Sequence, residues 1–146
     1  MPPGSPASPN ETILIIDDDP RVRATLVHML TSAGYRTLEA RDGSEAIHLF
    51  ADRSREITAV TLDLVMPTTD GKETLAMLSA YAPNLPIVIA TAYGPKELTG
   101  RVPGTRGVGY LQKPFTTAEL TAELRRVIAE CAEPTSDERP GSGLMT

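Results

Sequence analysis

The chain has 146 residues, with 19 Asp and Glu against 14 Lys and Arg, a net charge of −5 and 40% hydrophobic content; this suits one compact domain with a sizeable core. No apolar run approaches the ~20 residues a membrane helix needs, and MPPGSPASPN lacks the basic start and apolar stretch of a secretory signal, so a soluble cytoplasmic protein without membrane insertion is expected. The single cysteine, Cys131, excludes an internal disulfide framework and a cysteine-based zinc cluster, and the acidic balance argues against direct nucleic-acid binding.

Proline separates the ends from the middle: four of the 13 prolines lie in the first ten residues. Residues 1–10 and 132–146 are too poor in apolar side chains to offset the entropy of ordering, and both are expected to be flexible tails around a folded body at 11–131. There is no internal repeat. Thr12 to Ile16 (TILII) is an unbroken apolar and β-branched run, as expected for a strand buried on both faces of a parallel sheet. Pro20 suits the first position of a helix with Asp19 as its cap; Val22, Leu26, Met29 and Leu30 follow at helical spacing, and Gly34 ends the helix. Tyr35–Ala40 reads as a second strand, Ser44–Asp52 as a helix burying Ala46, Ile47 and Phe50, Ile57–Leu62 as a third strand and Lys72–Ala80 as a third helix. Leu85–Ala90 is the fourth strand and Val108–Leu111 a short fifth. A last helix opens with a capping box, Thr116 with Glu119, and aligns Leu120, Leu124, Val127 and Ile128 on one face.

A further helix is due between the fourth and fifth strands, yet residues 95–107 (PKELTGRVPGTRG) contain Gly100, Pro103, Gly104 and Gly107. Glycine and proline inside a helix cost roughly 1 and 3 kcal/mol, so at most a turn or two is predicted there, followed by an irregular loop. The alternation of strands and helices implies an α/β fold with a five-stranded, doubly wound parallel sheet and right-handed crossovers. Such a sheet places its functional site beyond the carboxyl ends of its strands.

Asp17, Asp18 and Asp19 end the first strand, Asp63 the third and Thr91 the fourth, and the fifth leads to Lys113. Taken singly, these residues have plain explanations. Asp19 caps a helix, Asp70 before Gly71 is turn chemistry, and Thr91 and Lys113 alone read as a turn residue and a solvated charge. Together they open on one edge of the sheet. Crowded carboxylates repel unless a cation intervenes, and oxygen ligands without Cys or His favour a hard cation such as Mg²⁺. A lysine and a threonine hydroxyl nearby complete an environment for a transferring phosphoryl group, with one aspartate available as the nucleophile of an aspartyl-phosphate.

Across residues 11–131 the chain resembles the receiver domain of two-component response regulators, as a single-domain protein or as the receiver segment of a hybrid sensor kinase. ILIIDDDP resembles the family's acidic first-strand motif, LDLVMPTTDG its phosphorylation-site strand and loop, IVIATAYG its switch-threonine strand and GYLQKPF its lysine–proline motif. The motifs are specific as an ordered set, with 45 residues from Asp18 to Asp63 and 22 from Thr91 to Lys113. The resemblance implies a flavodoxin-like sheet of strand order 2-1-3-4-5, in which the composition of 95–107 makes the fourth helix weak or irregular. It makes Asp63 the phosphoacceptor for a histidine kinase or phosphotransfer protein, with Lys113 and Thr91 as its catalytic companions. Asp18, Asp63 and the Val65 backbone carbonyl would bind Mg²⁺, or Mn²⁺ in its place, directly, and Asp17 mainly through water. Thr91 and Tyr110 would form the switch, and Lys113–Pro114 would be a cis peptide. The expected product is a phosphoacceptor regulator that assists its own phosphorylation and dephosphorylation, not an enzyme with a separate substrate, and that signals to a downstream protein target or through a phosphorelay.

Some positions depart from the family pattern. Pro67-Thr68-Thr69-Asp70 lacks the glycine many members carry after the proline. The composition of 95–107 argues against standard dimerisation through the fourth-helix face. Val65 and Tyr93 flank the phosphoryl group and are expected to hinder hydrolytic water, giving a long-lived phosphorylated state. His28 and His48 are expected at or near the surface, Cys131 beyond the last helix, and Arg125 and Arg126 as a solvated helix end. With only a short polar stretch after Cys131, output is expected through a partner. Two alternatives remain: a degenerate receiver that binds partners unphosphorylated, and a haloacid-dehalogenase-like phosphatase. The Asp17–Asp19 spacing fits the latter, but that family needs a further acidic pair after the lysine, which PFTTAELTAEL does not supply at a strand end, and Asp63 would go unexplained.

Overall fold

The central strands of the sheet are buried on both faces, and alternate residues along them feed opposite sides. Residues 11–63, 71–92 and 107–132 are described by a computed structural model. They form β1 (Thr12–Ile16), α1 (Pro20–Ser32), β2 (Arg36–Ala40), α2 (Gly43–Arg53), a 3₁₀ turn (Ser54–Glu56), β3 (Ile57–Leu62), α3 (Gly71–Tyr81), β4 (Ile87–Thr91), β5 (Val108–Gln112) and α4 (Thr117–Ala132). The expected tails, the Pro67–Asp70 turn and the weak helix over 95–107 lie outside the described residues, apart from Gly107 and Ala132 at their edges. Among the described residues no helix is long and apolar enough to cross a membrane.

All five strands pair in parallel in the order β2-β1-β3-β4-β5. Every residue of β1 is buried because it carries helices on both sides. Leu14, Ile16, Val60, Leu62, Ile87 and Ile89 pack with Ala46 and Phe50 of α2 and Leu75 and Leu78 of α3. The alternate residues Ile13, Ile15, Ala59 and Val88 pack with Leu26 and Leu30 of α1 and Leu120, Leu124 and Val127 of α4. Successive side chains of a strand point to opposite faces, so one continuous apolar run supplies two cores.

Local chemistry sets the helix ends. The Asp19 side chain accepts the Arg21 N–H with Pro20 at the first helical position, and Gly34, at φ 99°, turns the chain after α1. At α4 the capping box closes in both directions: Thr116 N–H donates to Glu119 Oε1 (2.8 Å), and Glu119 N–H to Thr116 Oγ1 (3.1 Å). A cap of this kind contributes about 1 kcal/mol.

Three expectations need correction. The fourth strand begins at Ile87, because Pro86 offers no N–H to a ladder and Leu85 N–H turns back to Ala82 O; its end moves to Thr91. Cys131 lies inside the last turn of α4, since no glycine or proline stops the helix before Pro134. Arg125 is not a solvated helix end. Its guanidinium lies 5.5 Å from the Tyr35 ring centroid, its Nε donates to the Tyr35 hydroxyl and its Nη2 pairs with Glu11. Burial raises the Tyr35 pKa, opposed by the Arg125 guanidinium. Arg126, His28 and His48 are exposed, as expected.

Candidate functional site

The ladder that ends each strand also aims its last residues. Asp17 N–H bonds Ala40 O and Asp63 N–H bonds Ile16 O, both at 3.1 Å, so the residues leaving β1 and β3 are held side by side. Lys113 N–H bonds Thr91 O at 2.7 Å and fixes the chain leaving β5 against the end of β4. Lys113–Pro114 is cis.

Carboxylate oxygens of Asp17, Asp18 and Asp63 come within 4.8 Å of one another. Asp17 is buried, with its side chain 3% exposed; Asp63 is 12% exposed. Both Asp17 oxygens have partners within the protein: Oδ1 accepts the Asp19 N–H at 3.0 Å, and Oδ2 accepts from Lys113 Nζ at 2.8 Å. The same Nζ lies 3.6 Å from Asp63 Oδ2. Lys113 thus offsets part of the repulsion that three adjacent carboxylates create. Thr91 is 1% exposed at the end of β4. Tyr110 is half-buried on β5 opposite Ile89, against the core on the α2–α3 side. Val65 and Tyr93 lie outside the described residues.

The donor set suits a divalent hard cation. Among the described residues it offers three carboxylates and no nitrogen or sulfur, an oxygen-only set matched to Mg²⁺ or Mn²⁺. A cleft of about 450 Å³ borders the site, bounded by α1 side chains, Lys113 and Phe115, so Lys113 can be approached from solvent along α1.

One supporting residue had no signal in the motifs. The Arg23 side chain, only 17% exposed, donates Nη1 to the Asp17 carbonyl at 2.7 Å and Nε to Glu39 Oε1 at 3.2 Å. It thereby braces the peptide joining Asp17 to Asp18 from β2. An arginine one turn into a helix reads as solvated; only the adjacency of β2 to β1 places Glu39 within its reach.

Residues 13–125 match the family model described as response regulator receiver domain. Response regulator MprA of Mycobacterium sp. (strain KMS) is 37% identical over 136 residues, covering 92% of this chain and 56% of that protein. Sensor kinase CckA of Brucella abortus is 29% identical over 121 residues, covering 83% of this chain and 13% of the kinase. The chain therefore spans little more than half of the regulator and a small part of the kinase. The crystal structure of a response regulator receiver protein from Sinorhizobium medicae superposes with a TM-score of 0.72 at 26% identity, covering 82% of this chain and 95% of that one. Strand order, a match over most of the chain and a solved relative of the same extent agree, and the chain belongs to the response regulator receiver domain family.

Proposed function

We propose that the protein is a phosphoryl-accepting switch of a two-component system, with residues 11–131 as the receiver body and Asp63 as the acceptor. The observation that carries this reading is the meeting of Asp17, Asp18 and Asp63 at the strand ends, with Lys113 Nζ bonded into the group. A carboxylate oxygen of Asp63 attacks the phosphorus of a donor phosphohistidine. The new O–P bond forms as the N–P bond breaks, and the imidazole departs neutral, already protonated on its other nitrogen. Lys113 exchanges its contact with Asp63 for a phosphoryl oxygen, and the Thr91 hydroxyl moves to donate to another. Asp18 and Asp63, with the Val65 carbonyl that the family resemblance implies, would hold Mg²⁺, which would supply positive charge against the phosphoryl oxygens. Asp17, whose oxygens are already engaged, would serve the ion through water. Attack of water on phosphorus later returns phosphate and the free Asp63 carboxylate.

Tyr110, on the strand that delivers Lys113, follows Thr91 into a second arrangement, a bistable response to a local change of charge. The switched protein signals in the cytoplasm to a downstream protein or passes its phosphoryl group along a relay. Incubation with acetyl phosphate and Mg²⁺ tests the reading by intact mass. One added phosphoryl group, prevented by EDTA, is expected. No adduct under any condition points to a receiver that works unphosphorylated, and steady turnover of phosphate esters points to a phosphatase.

A further inference from the structure

Strand β5 is an edge of the sheet, and an exposed edge leaves unpaired peptide groups. In a parallel ladder alternate residues turn their peptide groups toward one neighbour. Gly107 O and Lys113 N–H both bond to β4, so Tyr110, in the other set, turns its N–H to the open side. A side chain meets it there: Glu123 Oε2 of α4 accepts the Tyr110 N–H at 2.9 Å. The same carboxylate is held by Arg126 through Nε and Nη2, at 3.1 and 2.9 Å. One segment away, Glu130 Oε1 accepts the Gly107 N–H at 2.5 Å.

The two carboxylates lie two helical turns apart on one face of α4. Gly107 precedes β5 and, at φ 80°, stands outside the strand's alternation, so its N–H turns to Glu130. Glu123 and Glu130 therefore reach two peptide N–H groups, one within β5 and one just before it. Close approach depends on glycine. A Cβ at Gly109 would lie 2.4 Å from Glu123 Oε2 and 2.8 Å from Val127 Cγ1, and one at Gly107 would lie 2.2 Å from Cys131 Sγ.

We infer that Glu123 is a positioning residue for the switch: its carboxylate braces the backbone of Tyr110, and Glu130 that of Gly107, so that β5 and α4 move as one body. The inference rests on the phosphoacceptor reading and names the link by which a change at Thr91 and Tyr110 reaches the outer face of α4. The Glu123 carboxylate bonds a peptide N–H and the neighbouring Arg126 guanidinium. Its role is thus positional, exerted through Tyr110.

NMR on the intact chain tests it, with beryllofluoride and Mg²⁺ as the phosphoryl mimic. In the wild type, a coupling across the hydrogen bond between the Tyr110 amide nitrogen and the Glu123 carboxylate carbon is expected; its absence overturns the inference without any variant. Glu123→Ala is expected to speed exchange of the Tyr110 amide roughly tenfold or more, the effect of losing one charge-assisted hydrogen bond, and to abolish most of the mimic-induced shifts on α4. Glu123→Gln, which keeps an acceptor oxygen, restores both. Mimic-induced shifts on α4 that are identical in wild type and Glu123→Ala overturn the inference while leaving the phosphoacceptor reading intact. No response of the wild type to the mimic overturns that reading instead.

Discussion

Lys113 bonds the buried Asp17 and lies beside Asp63, so among the described residues one ammonium faces three carboxylates whose oxygens lie within 4.8 Å. Three carboxylates against one ammonium leave two negative charges in excess when no divalent cation is bound. Replacing Asp18 by Asn removes one of them. Asp18→Asn is expected to raise stability by roughly 1 kcal/mol in EDTA and to remove the stabilisation that millimolar Mg²⁺ confers on the wild type. Thermal unfolding with and without Mg²⁺ checks both; an unchanged response to Mg²⁺ in the variant would remove Asp18 from the ion site. Val65→Asn should shorten the lifetime of the phosphorylated state if an apolar side chain there hinders water, measured by decay of the adduct after removal of acetyl phosphate.

At the scale of elements, the α4–β5 contact sets the clearest pH dependence. The Arg126 guanidinium, opposed by burial and helped by the Tyr110 N–H, holds the Glu123 carboxyl below its usual value. A carboxyl depressed in the folded state stabilises fully above its unfolded pKa, ~4.3, and loses that contribution as pH falls through the folded value. The stability gap between wild type and Glu123→Gln should therefore be largest near pH 7 and narrow below about pH 4, as urea unfolding across this range would show. A gap constant with pH would contradict a charged Glu123 in the fold. This contact was not legible in the sequence. Gly107 read only as a helix breaker and Gly109 only as part of a short strand, whereas the fold uses the bare Cα of Gly109 to admit a carboxylate from 14 residues away. Arg125 failed for the same reason: its partners Glu11 and Tyr35 lie 114 and 90 residues distant, and periodicity reports only an element's own face. The strands were legible because TILII and IVIA are apolar on both faces, and the α4 start because its capping box is local. The acidic cluster followed from strand ends that share one edge, a consequence of parallel order and not of spacing.

For the whole molecule, one sheet between two helical layers couples the site to both cores. Leu120 and Leu124 of α4 are fully buried against Ile13, Ile15 and Val88, and Leu120→Ala is expected to cost about 2–5 kcal/mol through the cavity it leaves, read as a lower denaturant midpoint with little change in slope. Of the 19 carboxylates behind the net charge of −5, three converge at the strand ends. The central claim is that one of these three, Asp63, receives the phosphoryl group. Treating the phosphorylated protein with borohydride, which reduces an aspartyl-phosphate to homoserine, and sequencing its peptides locates the acceptor most directly. The account predicts homoserine at position 63 alone and no adduct in Asp63→Asn; reduction at Asp17 or Asp18, or an adduct that survives Asp63→Asn, would contradict it.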